Sequence, residues 1–285
     1  MTSASQAGMS GPCFLGIDIG SLTVKSVLLD SQEHLLGRGV APAGYGGQEA
    51  AAELVAQVLR EAHAGDSVAY AVVTGYGRVL FRTADEEMSE ISCHARGAFH
   101  LCPKVRTVID IGGQDSKAIR LDANGRVVDF AMNDKCAAGT GRFLEVMAAA
   151  LGLPVAEFGR LALQSQHPVS ISSTCTVFAE SEAISHMARG AERQDVAAGL
   201  HRAIASRILG LAAHVGVVAK VLLTGGVALN TGLVAALAEL CNCHPTGAGH
   251  EALALAGTFS LTVPPDPQVV GALGAALFAL QRGRR

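Results

Sequence analysis

Two copies of one short sequence constrain the fold of this chain more than any other feature. The first copy runs from Gly16 to Asp30 and the second from Val108 to Asp122. Aligned without a gap, the copies match at positions that include Ile17/Ile109, Asp18/Asp110, Ile19/Ile111, Gly20/Gly112, Lys25/Lys117 and Asp30/Asp122. Each copy is an apolar run with a central Asp, then a Gly-containing turn and a second β-rich run. This pattern predicts two hairpins.

The residue types in these hairpins suit phosphate chemistry. A glycine turn has no Cβ in the way, so backbone N–H groups can approach a phosphate closely. The Asp can hold Mg²⁺ or orient a water, because a hard cation prefers carboxylate oxygen. One such turn is often an ordinary hairpin connection. Two of them facing each other would bind a triphosphate from both sides, so the repeat predicts nucleotide binding.

Composition sets the class of protein. The 285 residues are 49% hydrophobic and 16% charged, which predicts a large buried core in two lobes or one large domain. A net charge of −3 gives no reason to expect a nucleic acid or an anionic membrane as partner. No apolar run reaches the length of a membrane span. We therefore expect a cytoplasmic protein with neither kind of partner.

The chain divides into three parts in this interpretation. Residues 1–12 are small and polar, lack the features of a signal peptide and are predicted to be a disordered tail. Residues 13–103 and 104–285 are predicted to be an N-terminal and a C-terminal lobe, both α/β. A turn, Thr74 to Gly77, follows an apolar strand and is either a site rim or an ordinary connection. Val169 to Ser172 is predicted to be a further strand.

Two of the seven cysteines precede predicted helices. Cys136 lies in a Gly-rich loop before a helix from Arg142, and Cys175 lies just before a helix from Val177. A helix N-terminus stabilises thiolates and bound anions. A four-iron cluster takes four thiolates, which two chains in a C2 dimer can supply. From the residues alone, two buried or merely reactive cysteines remain the alternative.

Several motifs carry a family resemblance. The order GIDIGS, VIDIGGQDSK, LTGGVALN and GALGAAL resembles the superfamily of acetate and sugar kinases, Hsp70 and actin. The segments NDKCAAGTGRFLEVMA and ISSTCTVFAESE resemble the activator ATPases of 2-hydroxyacyl-CoA dehydratases, in the BadF/BadG/BcrA/BcrD ATPase family. The same family contains ATPase subunits of benzoyl-CoA reductase. The match runs from about Phe14 to Leu240 and resumes at Pro264. Residues 241–261 depart from the pattern.

The resemblance implies a fold and a function. The fold is two ribonuclease H-like lobes, an actin-like ATPase fold, with a nucleotide cleft between them. The function is an ATP-hydrolysing activator with a [4Fe–4S] cluster at a homodimer interface, held by Cys136 and Cys175 of each chain. It would pass single electrons from a ferredoxin or flavodoxin to a 2-hydroxyacyl-CoA dehydratase or a benzoyl-CoA reductase type partner. The resemblance favours the cluster over two unrelated cysteines.

Site residues follow from the motifs and the resemblance together. By resemblance, Asp18 and Asp110 line the Mg²⁺–phosphate region, and Gln114 orients the attacking water, with Asp115 as the alternative. Glu145 reaches the ribose by resemblance; an exposed helix carboxylate is the alternative. The other nucleotide-binding candidates are Ser21, Leu22, Thr23, Val24, Lys25, Gly112, Gly113, Thr224, Gly225, Gly226, Asn230 and Gln268.

Other functions and other roles for the cysteines remain as alternatives. A sugar or other small-molecule kinase of the same fold, or a regulatory ATP-binding protein, would use the same nucleotide motifs without the cysteine motifs. Cys93, in Ser92-Cys-His94, is the closest competitor as a cluster ligand. Cys241 and Cys243 form a C-x-C-H sequence, for which a variable surface insertion is favoured over a metal site. The remaining cysteines and the histidines are predicted to be core or surface residues.

Overall fold

The computed structural model describes residues 11–45, 47–64, 67–172, 175–241, 245–247 and 260–284. Most of the predicted N-terminal tail and most of the 241–261 segment, Cys243 included, lie outside the described residues. The described residues form two compact units. Unit 1 contains the residues up to His100 together with those from Gln268 on, and unit 2 runs from Leu101 to Pro267.

Unit 1 is built on a five-stranded sheet in the order β3-β2-β1-β4-β5. Its strands are β1 (Cys13–Ile19), β2 (Thr23–Leu29), β3 (Leu35–Pro42), β4 (Val68–Thr74) and β5 (Glu86–Glu87). All seven residues of β1 are buried, which fits its central place. β1 pairs antiparallel with β2 and parallel with β4. The first predicted hairpin is therefore confirmed.

Three helices cover this sheet: α1 (Gln48–Glu61), α2 (Glu90–Leu101) and α8 (Val270–Gly283). α1 is amphipathic and buries Leu54 and Val58. α8 packs so closely on β1 that a Cβ on Gly16 would collide with the backbone of α8. α8 also meets α2 this way, since a Cβ on Gly274 would collide with the backbone of Cys93. Small residues thus fix α8 in unit 1.

Unit 2 repeats the same core around a six-stranded sheet in the order β10-β11-β9-β6-β7-β8. Its strands are β6 (Thr107–Ile111), β7 (Ser116–Leu121), β8 (Val127–Asn133), β9 (Val221–Thr224), β10 (Pro245–Gly247) and β11 (Leu261–Val263). β6 pairs antiparallel with β7 and parallel with β9, as β1 does with β2 and β4. The second predicted hairpin is also confirmed.

The described residues of unit 2 form five α-helices: α3 (Gly141–Ala150), α4 (Val155–Ala162), α5 (Thr176–Ala188), α6 (Arg193–Ala213) and α7 (Thr231–Leu240). By length and composition α6 could cross a membrane, contrary to the expectation that no apolar run is long enough. Leu200, Ile204 and Ile208 of this helix are buried in the core of unit 2. The apolar composition of α6 is that of a core helix.

Two predicted features differ from the structure. Residues 268–285 were predicted to be part of the second lobe, but α8 belongs to unit 1, where it packs on β1. The predicted strand from Val169 to Ser172 is wrong. Val169 N–H donates to the carbonyl oxygen of Asp195, and Ser172 N–H donates to the Glu182 carboxylate. These bonds tie the segment to the helices rather than to the sheet.

Candidate functional site

The turn of the first hairpin is closed by a hydrogen bond from Gly20 N–H to the Thr23 carbonyl oxygen, 3.0 Å. Asp18, 5% exposed, lies opposite Lys25, and the Lys25 Nζ is 3.2 Å from the Asp18 Oδ2. A buried carboxylate with a lysine beside it is thus positioned directly before a glycine turn. The predicted contacts Ser21, Leu22 and Thr23 are partly exposed, whereas Val24 is buried and can offer only its backbone.

The second hairpin repeats this geometry with one addition. Gly112 N–H donates to the Asp115 carbonyl oxygen at 2.9 Å. Asp110 is 3% exposed, and the Lys117 Nζ lies 3.4 Å from Asp110 Oδ2 and 2.5 Å from Asp115 Oδ2. Gln114, at the turn, is exposed. Because the Asp115 carboxylate is held by Lys117, Gln114 is the better placed of the two predicted residues to meet a water.

Each unit also has a Thr-Gly turn at the end of the strand parallel to its hairpin. β4 ends at Thr74, followed by Gly75 at φ +91°, and β9 ends at Thr224, followed by Gly225 at φ +88°. A Cβ on either glycine would collide with the carbonyl oxygen of the last residue of β1 or β6, and would press on the Asp carboxylate. This match was not predicted, although a Thr-Gly pair after an apolar strand in both halves of the sequence indicates it.

Replacing Gly75 with Ala is expected to destabilise unit 1. Gly75 has a left-handed backbone, which alanine rarely adopts, and the new methyl group would also collide with β1. The backbone strain alone is expected to lower the free energy of unfolding by about 1–3 kcal/mol. Urea unfolding measures this loss. Gly210→Ala is the control, because Gly210 lies in α6 with open space around it, and a gain of about 0.5–1 kcal/mol is expected. Equal stability of Gly75→Ala and the wild type would contradict this account of the turn.

Thr224 acts on the buried carboxylate of unit 2 with its side chain. Its Oγ1 donates to the Asp110 Oδ1 at 3.0 Å, and the residue is fully buried. Any contact of Thr224 with a nucleotide must therefore come from its backbone. In the described part of unit 1 no such bond joins Thr74 to Asp18. The two units thus hold equivalent carboxylates with different neighbours.

The glycine turn of the second hairpin is bonded directly to the start of α3. Gly141 N–H donates to the Gly112 carbonyl oxygen at 2.9 Å, and Arg142 N–H donates to that of Gly113 at 2.8 Å. These are two of the N–H groups that a helix leaves without an intrahelical partner. These two N–H groups are therefore bonded within the protein and are not left for an anion. They tie the helix to the turn.

Cys136 lies in the loop that joins β8 to α3, and it is partly exposed. The Asn133 Nδ2 donates to the carbonyl oxygens of Cys136 and Ala138, at 2.9 and 3.0 Å. Thr140 Oγ1 donates to the Ala137 carbonyl oxygen at 2.7 Å. Side-chain hydrogen bonds thus hold the backbone of the loop that carries Cys136.

Cys175 is exposed and directly precedes the first residue of α5. Val177 and Phe178, which follow it, are each 66% exposed. α3 and α5 pack against each other, so the two cysteine-bearing loops lead into neighbouring helices of one unit. Within the described ranges, no three His, Cys, Asp or Glu side chains form a group that could hold a metal.

The other cysteines have different surroundings. Cys13 and Cys93 are buried, and burial raises the pKa of the Cys93 thiol to about 12. A thiol that stays protonated is a poor metal ligand. Cys102 and Cys241 are partly exposed, and Cys243 lies outside the described residues. The burial and the raised pKa of Cys93 favour a core role over a place in the cluster.

The remaining predicted nucleotide contacts are spread over both units. The Glu145 carboxylate lies 3.0 Å from the Arg142 guanidinium. Asn230 Oδ1 accepts from Leu233 N–H at 2.9 Å and so caps α7. Its side chain thus has a structural role. Gly226 is exposed, and Gln268 is partly exposed in the turn before α8.

Comparison with known proteins finds a family whose model matches most of this chain. The model of the BadF/BadG/BcrA/BcrD ATPase family matches residues 15–279. The (R)-2-hydroxyglutaryl-CoA dehydratase activating ATPase of Acidaminococcus fermentans is 45% identical over 273 residues, which cover 95% of this chain and 98% of that protein.

Two solved structures are similar along nearly the whole chain. Component A of the (R)-2-hydroxyglutaryl-CoA dehydratase of Acidaminococcus fermentans superposes with a TM-score of 0.87 at 43% identity, covering 96% of this chain and 100% of that one. The activator of the 2-hydroxyisocaproyl-CoA dehydratase from Clostridium difficile, with bound ADPNP, gives 0.85 at 42% identity, covering 95% and 96%. The predicted actin-like ATPase fold is confirmed.

Proposed function

The chain belongs to the BadF/BadG/BcrA/BcrD ATPase family, and from this premise we propose that it is an ATP-hydrolysing activator of a 2-hydroxyacyl-CoA dehydratase. It passes single low-potential electrons from a [4Fe–4S] cluster at a homodimer interface, and a ferredoxin or flavodoxin is the donor. A benzoyl-CoA reductase type enzyme is the other partner within this class. The names of the relatives support the dehydratase.

ATP and Mg²⁺ are bound by hairpin residues of both units in this proposal. The turn N–H groups around Gly20 and Gly112 contact phosphate oxygens, and Lys25 adds a positive charge. The Asp18 and Asp110 carboxylates line the Mg²⁺–phosphate region, and Gln114 orients the attacking water. The bound ADPNP in the Clostridium difficile activator supports a nucleotide site of this kind.

Cys136 and Cys175 are the residues that would hold the cluster. Their surroundings fit this role, because one thiol is exposed, the other is partly exposed, and their loops lead into packed helices. One chain offers two such thiols and a second copy completes the four. The cluster, when bound, supplies a one-electron carrier. The exposed Val177 and Phe178 beside Cys175 would be covered by the second copy.

The bond between the second hairpin and α3 is the observation that carries the proposal. The carbonyl oxygens of Gly112 and Gly113 cap the helix that follows the Cys136 loop. A nucleotide that engages this turn therefore acts on the start of α3 through two backbone hydrogen bonds. A kinase has no use for this link between a phosphate turn and a cysteine loop. A solved glucokinase from Streptomyces griseus shares 13% identity with this chain, which is a likeness of fold alone.

Activation of a purified 2-hydroxyacyl-CoA dehydratase tests the function. The chain, purified without oxygen and supplied with a reductant, is expected to switch on the dehydratase with ATP but not with ADPNP, which is not turned over. The dehydratase alone is the control. If the chain hydrolyses ATP and phosphorylates a sugar but activates no such dehydratase, the kinase is favoured instead. We propose a cytoplasmic location, where ATP is supplied and thiols stay reduced.

A further inference from the structure

The Ser92-Cys93-His94 motif of α2 has no part in the function described so far. Cys93 is a buried core thiol, but its neighbour His94 is a polar residue that is only 5% exposed. A polar group taken out of water needs polar neighbours, and His94 has them. The surroundings of His94 connect it to the first hairpin.

Gly271, in the first turn of α8, lies close to both His94 and Asp18. A Cβ built on Gly271 would lie 2.9 Å from the His94 Nε2 and 3.2 Å from the Asp18 Oδ2. The imidazole and the carboxylate therefore border the same α-carbon, and one methyl group would touch both. Glycine at this position leaves the space between the two side chains open.

The two units differ in what surrounds the equivalent carboxylates. Asp110 has Lys117 on one oxygen and the Thr224 hydroxyl on the other. Asp18 has Lys25 in the matching place, but no hydrogen bond joins it to Thr74 within the described residues of unit 1. His94 is the polar side chain that borders the same Gly271 α-carbon as Asp18.

The backbone that carries His94 is held firmly. A Cβ on Gly97 of α2 would collide with the Val270 carbonyl oxygen at the start of α8, and Gly274 meets the backbone of Cys93 in the same way. α2 and α8 thus touch through backbone atoms on either side of His94. Such packing leaves the helices little freedom to move apart or slide. His94 is therefore carried by a helix that packs closely against α8.

We propose that His94 is a positioning residue for Asp18 and keeps the carboxylate in the orientation in which it serves the Mg²⁺ of bound ATP. This inference rests on the proposed ATPase function. His94 acts through Asp18 and touches neither nucleotide nor metal. Its loss would weaken the use of Mg²⁺ more than the binding of the nucleotide itself.

The test measures ATP hydrolysis as a function of Mg²⁺ concentration in the full-length protein. His94→Ala and Gly271→Ala are expected to raise the Mg²⁺ concentration for half-maximal rate about tenfold, the size of one hydrogen bond to a charged group. Binding of Mg²⁺-free nucleotide should change less than twofold. His94→Gln should restore most of the wild-type behaviour, because its amide nitrogen reaches the place of Nε2.

The variants separate positioning from folding. Gly271→Ala removes no polar group and keeps a right-handed helical backbone, but its methyl group would press on both His94 and Asp18. His94→Gln is therefore the variant that tests the imidazole by itself if His94→Ala unfolds. His100→Ala, on the same helix, and Gly210→Ala, in open space, are matched controls that should keep the wild-type Mg²⁺ dependence.

Wild-type Mg²⁺ dependence in folded His94→Ala and Gly271→Ala, with Asp18→Asn inactive, would overturn the proposal and leave the ATPase assignment standing. If Asp18→Asn also hydrolyses ATP normally, the assignment of the nucleotide site itself has failed. A Mg²⁺ shift in His94→Gln as large as in His94→Ala would likewise contradict positioning by Nε2.

Discussion

Asp110→Asn is expected to lower the rate of ATP hydrolysis about 100- to 1000-fold with little loss of fold, the scale on which a single stabilising group acts in catalysis. The carboxylate is buried directly before the second glycine turn, where a charge acts with little screening by water. Lys117 keeps Asp115 as its partner in the variant, so no unpaired buried cation is left behind. Steady-state hydrolysis and a thermal melt measure the two effects.

Asp122→Asn is the matched control for this variant. Asp122 is the last matching position of the same repeat, and its Oδ1 accepts from Asn124 and Arg126 N–H in the turn after β7. An asparagine keeps that acceptor, so we expect a wild-type rate. If folded Asp110→Asn hydrolyses ATP as fast as the wild type, the two hairpins are not the nucleotide site.

Cys136→Ala and Cys175→Ala are expected to abolish iron binding and dehydratase activation while ATP hydrolysis persists. Loss of one thiolate per chain removes two of the four ligands of a shared cluster. The hairpins that serve ATP are unaltered, so hydrolysis should stay within about threefold of the wild-type rate, within the usual context dependence of single substitutions. Iron analysis, a dehydratase assay and a phosphate-release assay measure the three quantities.

Cys102→Ala controls for the loss of any thiol. Cys102 is partly exposed, follows α2 and belongs to neither cysteine motif. It should retain iron and activation. A Cys175→Ala protein that keeps its full iron content would show that the metal is held elsewhere. Loss of ATP hydrolysis in folded Cys136→Ala would mean that the Cys136 loop supports the nucleotide site itself.

The hairpins and most helices could be predicted from the sequence because their signals are local. An apolar run, an Asp and a Gly turn specify a hairpin within 15 residues, and the same order recurs at 108–122. The start of α7 is likewise local, since Asn230 caps the third residue of its own helix.

Contacts between distant residues could not be predicted. The membership of α8 in unit 1 depends on the fit of Gly16 against the backbone of a helix more than 250 residues later in the chain. His94 and Gly271 meet only because α2 and α8 pack together. Val169 has the β-branched character of a strand, but its N–H bonds to Asp195. In each case packing between distant parts of the chain determines the structure, and the local sequence does not contain that information.

Iron and sulfide content per chain, with molar mass in solution after strictly anaerobic purification, tests the central claim most directly. The account predicts a particle of twice the mass of one chain that carries about four iron and four sulfide ions, one four-iron cluster shared by two chains. An iron-free protein under the same conditions that still binds ATP would contradict it.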